Sequence, residues 1–267
     1  MRIPIFEVDA FATTPFSGNP AAVCPLERWL DDRTLQAIAA QNNLAETAFF
    51  VRRGSGGEAT PAYDLRWFSP ACEVDLCGHA TLAAAWVLFH RGGRTGDRVE
   101  FHSKSGPLTV RREGERLELD FPATPGVPCE PPPRLLEGLA ATPRETLKAR
   151  DYMAVFESED QVLALTPRME AIASLEVLGV IATAPGRAVD YVLRFFAPRA
   201  GIPEDPATGS AHCMLVPYWA ARLGRSRLTA RQLSARGAAF TCENRGARVG
   251  IAGRAVPYLE GSIELGA

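Results

Sequence analysis

Apolar and polar residues alternate from Ile5 to Phe11, the two-residue period of a strand at the start of the chain. Strand-like runs recur at 44–51 and 62–68, a helix is predicted from about 78 to 90, and strands near 98–103, 107–112 and 115–121. Gly18-Asn19-Pro20 marks a turn, and Asp31 or Asp32 caps a helix whose apolar side includes Leu35, Ile38 and Ala39. Prolines at 122, 125, 128, 131, 132 and 133 then interrupt the pattern and predict an extended connector. Strands are expected again near 151–157, 161–165, 176–183 and 190–197, a helix near 209–223 kinked at Pro217, and strands near 238–243 and 247–251. The segment around Gly261-Ser262-Ile263-Glu264-Leu265 has no counterpart before the prolines, so it is expected to pair back with the first half.

The pattern also repeats itself. Leu65-Arg66-Trp67-Phe68-Ser69-Pro70 returns as Leu193-Arg194-Phe195-Phe196-Ala197-Pro198, Gly78-His79-Ala80 as Gly209-Ser210-Ala211, and Ser105-Gly106 as Arg236-Gly237. The offsets are 194 − 66 = 128, 209 − 78 = 131 and 237 − 106 = 131, which predicts two similar half-domains with three residues inserted in the second. The expected division is 1–121, completed by about 256–267, a Pro-rich linker at 122–133, and a second half at 134–255. Two facing halves would enclose a cleft. Residues that break the internal symmetry are then the first suspects for chemistry, because an asymmetric substrate needs unlike groups on its two sides.

Composition narrows the class. With 267 residues, 46% of them apolar, the chain is long enough for two compact domains. A net charge of −2 argues against a general nucleic-acid binder, and the local cluster of Arg222, Arg225, Arg227, Arg231 and Arg236 reads as a solvated, salt-bridging face. The six cysteines lack disulfide or CxxC spacing and no signal-peptide pattern opens the chain, so a reduced, cytoplasmic protein is expected. No apolar run approaches the roughly 20 residues that span a bilayer. No phosphate loop or dinucleotide fingerprint follows a strand, and Cys72, Asp75, Cys77, His79, His212 and Cys213 show no recognised ligand spacing, so neither a cofactor nor a metal is expected.

Three segments carry candidate chemistry. Glu46 shares a strand face with Leu44, Ala48 and Phe50, and burial there would raise its proton affinity toward the range of a general base or acid; an edge-strand Glu paired with an Arg is the plainer reading. His79 opens a helix whose N-terminal dipole disfavours imidazolium, so a neutral donor or relay is expected, against a purely structural His. Asp205, Thr208, Gly209 and Ser210 supply an acid, two hydroxyls and close backbone amides. This suits an anion cradle, although a turn and a helix cap would use the same residue types.

At these residues the chain resembles the PhzF-like phenazine-biosynthesis family. The resemblance covers Val8-Asp9-Ala10-Phe11, Ser17-Gly18-Asn19-Pro20-Ala21-Ala22-Val23, Leu44-Ala45-Glu46-Thr47-Ala48-Phe49, Arg66-Trp67-Phe68, Cys77-Gly78-His79-Ala80-Thr81 and Asp205-Pro206-Ala207-Thr208-Gly209-Ser210-Ala211. It implies an α+β fold of the diaminopimelate epimerase type, with two pseudo-symmetric domains, each a mixed sheet wrapped around a central helix, and a homodimer. It also implies a cofactor-independent isomerase of a small carboxylate. Glu46 would carry the proton, His79 and Asp205 would assist, and Gly78, Gly209, Ser210 and Asn19 would bind substrate. Related epimerases use one cysteine from each half. Cys77 stands where the first would be, but its counterpart at an offset of 129 or 131 is Pro206 or Thr208, neither a thiol. A Cys77-dependent epimerase or racemase, with Asp205 opposite, is therefore the second reading, and a non-catalytic ligand-binding protein of the same fold the third.

Overall fold

A computed structural model describes residues 1–54, 62–93 and 96–266. The chain divides into two compact units, Met1–Asp120 with Ala252–Ala267, and Phe121–Ile251.

The first unit contains β1 (Arg2–Ala10), β2 (Asn19–Leu26), α1 (Asp32–Asn42), β3 (Glu46–Arg52), β4 (Ala62–Phe68), β5 (Glu73–Val74), α2 (Gly78–His90), β6 (Arg98–Ser103), β7 (Gly106–Glu113) and β8 (Arg116–Pro122). The second contains β9 (Val127–Pro128), α3 (Pro133–Leu139), β10 (Glu145–Lys148), β11 (Tyr152–Val155), α4 (Glu159–Leu163), α5 (Met169–Ala173), β12 (Val180–Pro185), β13 (Tyr191–Phe196), α6 (His212–Leu223), β14 (Arg227–Gln232), β15 (Ala238–Asn244) and β16 (Arg248–Gly253). Strand β17 (Ala255–Glu264) pairs antiparallel with β1 and so completes the first unit.

The repeat seen in the sequence is a repeat of topology. In the first unit β1, β2, β3, β4, β6 and β7 pair in that order, antiparallel, parallel, antiparallel, parallel, antiparallel. In the second, β10 to β15 pair in chain order with the same alternation. Each parallel step needs a crossover, and α2 and α6 are the crossovers that precede β6 and β14. Helix α2 buries every residue from His79 to Phe89, so it has no polar face and its place is inside the curl of its sheet, against β1, β2, β3 and β7.

The repeated Arg explains the inserted residues. Arg66 Nε and Nη2 clamp both carboxylate oxygens of Glu73 at 2.7 and 2.9 Å, seven residues away, while Arg194 clamps Glu204 at 2.8 and 2.9 Å, ten residues away. The difference of three is the insertion. It coincides with a 3₁₀ turn at Pro198–Ala200. Each guanidinium also lies over the Phe two residues on, Phe68 at 5.0 Å and Phe196 at 4.9 Å from the ring centroid. Hydrogen bonds from Arg66 hold the Glu73 carboxyl at about 2, below its ordinary 4.5, with Lys104 adding to the effect. The stability from this contact is complete above about pH 4.5 and is lost as pH falls through 2. The Glu73→Gln variant is thus expected to melt below the wild type at pH 7 and to converge on it toward pH 2, as thermal unfolding followed by circular dichroism will show.

Several elements depart from the sequence expectation. Residues 161–165, expected as a strand, fall largely in α4, because Ser158 accepts a hydrogen bond from the Gln161 N–H, Glu159 and Asp160 occupy the first turn, and Val162 faces the core. The Pro-rich segment is no separate linker. It lies within the second unit, contributes β9 to the edge beside β10, and places Pro133 at the first position of α3, where a missing N–H costs nothing. The boundaries accordingly fall after Asp120 and Ile251. The turn before β2 ends at Gly18, whose φ of +68° and proximity to the Ala12 backbone exclude a side chain, and Asn19 already belongs to the buried strand. Pro217 lies inside α6 as expected, and the Cys213 carbonyl it leaves unpaired accepts the Thr124 N–H at 2.9 Å.

At least three of the five arginines of the cluster are ion-paired. Arg222 contacts Glu145, Arg225 contacts Asp190 and Arg227 contacts Glu243. Among the described residues no cysteine forms a disulfide. Among the described residues no helix is long and apolar enough to cross a membrane.

Candidate active site

In the first unit α1 ends at Asn43 in the left-handed conformation, and the reversed chain enters β3 at Glu46, alongside Ala21 of β2. Glu46 is buried as expected, and so are Thr47, Ala48, Phe49 and Phe50, on both faces of β3. Thr47 and Phe49 lie on the α1 side, where Phe49 joins Leu35 and Ile38 in one core cluster, so the acid's own face is turned the other way. Helix α2 begins after Cys77, which is extended and offers no side-chain cap, and the first internal bond runs from Thr81 N–H to the Cys77 carbonyl. The preceding amides at Gly78, His79 and Ala80 have no partner within the helix.

His79 Nε2 lies 3.0 Å from Glu46 Oε2, and both residues are under a tenth exposed. On the other side of the ring Nδ1 is 3.2 Å from the Asn19 amide and 3.5 Å from Cys77 Sγ. The structure therefore brings Glu46, His79, Cys77, Gly78 and Asn19 into one buried cluster. It also reverses two expectations about protonation. Burial by itself pushes Glu46 up, but the charge and hydrogen bond of His79, with a hydrogen bond from Cys77, hold its carboxyl below the ordinary 4.5. Burial likewise pushes the His79 ring down, yet Cys77 and Glu46 favour the cation and raise it well above 6.5. The Cys77 thiol, pushed up to about 11 by burial and by Glu46, is uncharged near neutrality, so Glu46 is the anion responsible. A contact at 3.0 Å in a buried site outweighs a helix dipole spread over a whole turn. The pair is carboxylate and imidazolium, not acid and neutral ring.

An imidazolium carries N–H on both nitrogens, which calls for the Asn19 amide oxygen at Nδ1; the amide nitrogen would suit the neutral ring, and a half-turn of the amide exchanges the two. The contact from His79 Nε2 to Glu46 Oε2 is short but poorly aligned, so it leaves a lone pair of that oxygen open. A carboxylate with an unspent lone pair beside a proton-bearing ring can take a proton and return it. Glu46, Cys77 and His79 also set three possible metal-ligand atoms within 4.8 Å of one another. The direct Glu46–His79 contact at 3.0 Å is also the arrangement of a proton relay.

The acid has no counterpart in the second unit. Phe49 pairs with Arg66 and Ala182 with Arg194, so the residue three before each, Glu46 or Gly179, occupies the equivalent position. A side chain at Gly179 would press within 2.9 Å of the Phe196 carbonyl oxygen and onto the Phe195 ring.

The remaining predicted residues gather in the second unit. Asp205 precedes a turn that runs into a 3₁₀ segment, Gly209–Ala211, and then α6. Thr208 donates its hydroxyl to Asp205 Oδ2, which corrects its expected part in an anion cradle: the hydroxyl is committed to the acid. Gln232, which sequence reasoning missed, closes this turn. Its Oε1 accepts the Thr208 N–H at 2.8 Å, and its Nε2 donates to the Asp205 carbonyl at 2.5 Å and to Thr208 Oγ1 at 3.2 Å. The signal was present, since Gln232 is a polar residue at the third inward position of β14, after Leu228 and Ala230. Arg150, also missed, donates to Ser210 Oγ at 3.1 Å, and nothing in its local sequence marks it. His212 is a core residue. Its Nδ1 lies 2.6 Å from the Tyr191 hydroxyl, and burial pushes it down to about 3.

Residues 8–261 match the family described as phenazine biosynthesis-like protein. An uncharacterized isomerase of Pseudomonas aeruginosa is 51% identical, over 99% of this chain and 100% of its own. The crystal structure of a PhzF-family phenazine biosynthesis protein from Enterococcus faecalis superimposes with a TM-score of 0.94 at 44% identity, covering 99% of this chain and 100% of that one. A hydroxyproline epimerase from Agrobacterium vitis shares the fold at 12% identity, with a TM-score of 0.62 over 98% of this chain and 92% of its own. The architecture is thus the α+β epimerase type that the sequence implied.

Proposed function

Since the chain belongs to the phenazine biosynthesis-like family, we propose that it is an isomerase that moves a proton between two carbons of a small carboxylate without a cofactor. The observation that carries this reading is the buried Glu46–His79 pair, 3.0 Å apart, in a unit whose twin has Gly179 in place of the acid. Glu46, already ionised at neutral pH, accepts a proton from a carbon made acidic by a neighbouring carboxylate or double bond. The electron pair of the broken C–H bond moves into the adjacent unsaturated system. The His79 N–H stabilises the oxyanion that results, and Glu46 delivers the proton to the second carbon. The catalyst ends as it began, and no electrons leave the substrate, so the step requires no redox partner.

The helix-start amide of Gly78 suits a substrate carboxylate, and Asn19 holds the His79 ring in its plane. Asp205, Gly209 and Ser210 enter as substrate-binding and assisting groups on the family resemblance. A Cys77-dependent epimerase is the weaker reading, because the thiol keeps its proton to about 11 and the equivalent Thr208 hydroxyl is engaged by Asp205.

Incubation with cyclic unsaturated carboxylates and amino acids in deuterated water tests the proposal. Carbon-bound deuterium, read by NMR, is expected in at least one of them. Ligand binding with no exchange at any carbon would leave only the binding-protein reading.

A further inference from the structure

Each helix start has a side chain from elsewhere in its own unit bonded to its second residue. In the first unit Asn19 lies 3.2 Å from His79 Nδ1, and in the second Arg150 donates to Ser210 Oγ at 3.1 Å. The first is a neutral amide and the second a guanidinium.

We propose that Arg150 is a positioning and specificity residue. It orients the Ser210 hydroxyl as a hydrogen-bond donor and supplies the positive charge that makes the Ser210 turn prefer an anionic group over a neutral one. The inference rests on Ser210 binding substrate, as in the proposed function. Arg150 is itself held in place. Its Nε and Nη2 lie 3.1 and 2.7 Å from Asp151 Oδ2, and Asp151, only 3% exposed, takes the Gly179 N–H on its other oxygen at 3.1 Å. Nη2 has two hydrogens, one for Asp151 and one for Ser210 Oγ. Because the guanidinium donates into Ser210 Oγ, the hydroxyl proton must point elsewhere and is available to an acceptor. The side chain of Arg150 is 44% exposed, so its charge is not sealed in the core.

A thiolate placed at Ser210 is an anion probe that requires no substrate. In Ser210→Cys protein the rate of iodoacetamide labelling at that position is followed against pH, with the modified site assigned by tandem mass spectrometry to separate it from Cys213. The introduced thiol is expected to ionise below the ordinary 8.5. Adding Arg150→Met should slow its labelling at pH 7 about tenfold, and Arg150→Lys should restore most of the rate, because a charge near 3 Å at a partly exposed site shifts such an equilibrium by about one pH unit. Equal labelling profiles in the Arg150 and Arg150→Met backgrounds would overturn the proposal, as would a slow rate in Arg150→Lys equal to that of Arg150→Met, which would indicate lost packing in place of lost charge. If no substrate shows exchange but the labelling behaves as expected, the proton-shift reading fails and the role of Arg150 stands.

Discussion

In the Glu46→Gln variant, carbon-bound deuterium incorporation is expected to fall by about 10²- to 10⁴-fold, the usual worth of a positioned general base. The substitution keeps the shape of the side chain and removes the group that takes the proton. It also removes the anion that holds His79 as a cation, so burial acts unopposed on the ring and it becomes neutral. A neutral imidazole next to a neutral amide satisfies the pocket, so the variant is expected to fold, with an unfolding transition as sharp as the wild type's. Exchange is measured by NMR on whichever carboxylate the wild type labels. Undiminished exchange would remove Glu46 from the mechanism. Loss on Cys77→Ala with little change in Glu46→Gln would transfer the chemistry to the thiol.

The second large effect concerns pH. With His79 present, Glu46 is ionised to below pH 4.5, and the acid limb of kcat/KM for exchange is expected there. The His79→Leu substitution removes both the charge and the hydrogen bond that oppose burial, leaving only the Cys77 contact to lower the carboxyl. The acid limb should then move to higher pH. Loss of the oxyanion donor should cost a further factor of about 10² even on the plateau. The pH profile separates this from simple misfolding, because a destabilised protein loses activity without moving the limb. A limb that remains below pH 4.5 in the variant would mean that His79 does not set the charge of Glu46.

Much of the scaffold was legible because it was written twice. The Arg-x-Phe pairs at 66–68 and 194–196 could be aligned by eye, and in three dimensions they perform the same two tasks, a clamp on a Glu and a stack on a Phe. The three inserted residues followed from offsets alone. The second half was harder to parse locally. Short helices such as α4 and α5 bury only one or two side chains each, too few to impress a 3.6-residue period on the sequence. The prolines at 122–133 suggested a linker because proline opposes internal ladder positions, whereas an edge strand and a helix start both tolerate it.

For the candidate site, residue identity was readable and state was not. Glu46 and His79 stood out as an acid and an imidazole near a strand entry and a helix start, each judged against its own element. Strand burial argued for a neutral acid and the helix dipole for a neutral ring, and each inference was sound for an isolated group. Gln232 and Arg150 escaped for the related reason that their importance lies in what they touch, 24 and 60 residues away along the chain.

From its sequence by itself the chain determined a duplicated α+β scaffold, its family, and the acid, imidazole and glycine turns that the proposed mechanism uses, because these depend on residue type and spacing. Only the tertiary structure decided that the acid and the imidazole meet at 3.0 Å and share a charge, that Thr208 is spoken for, and that a guanidinium stands behind Ser210. Coulomb energy and hydrogen bonding act over a few ångströms of space, and the partners that set them are separated by tens of residues of chain.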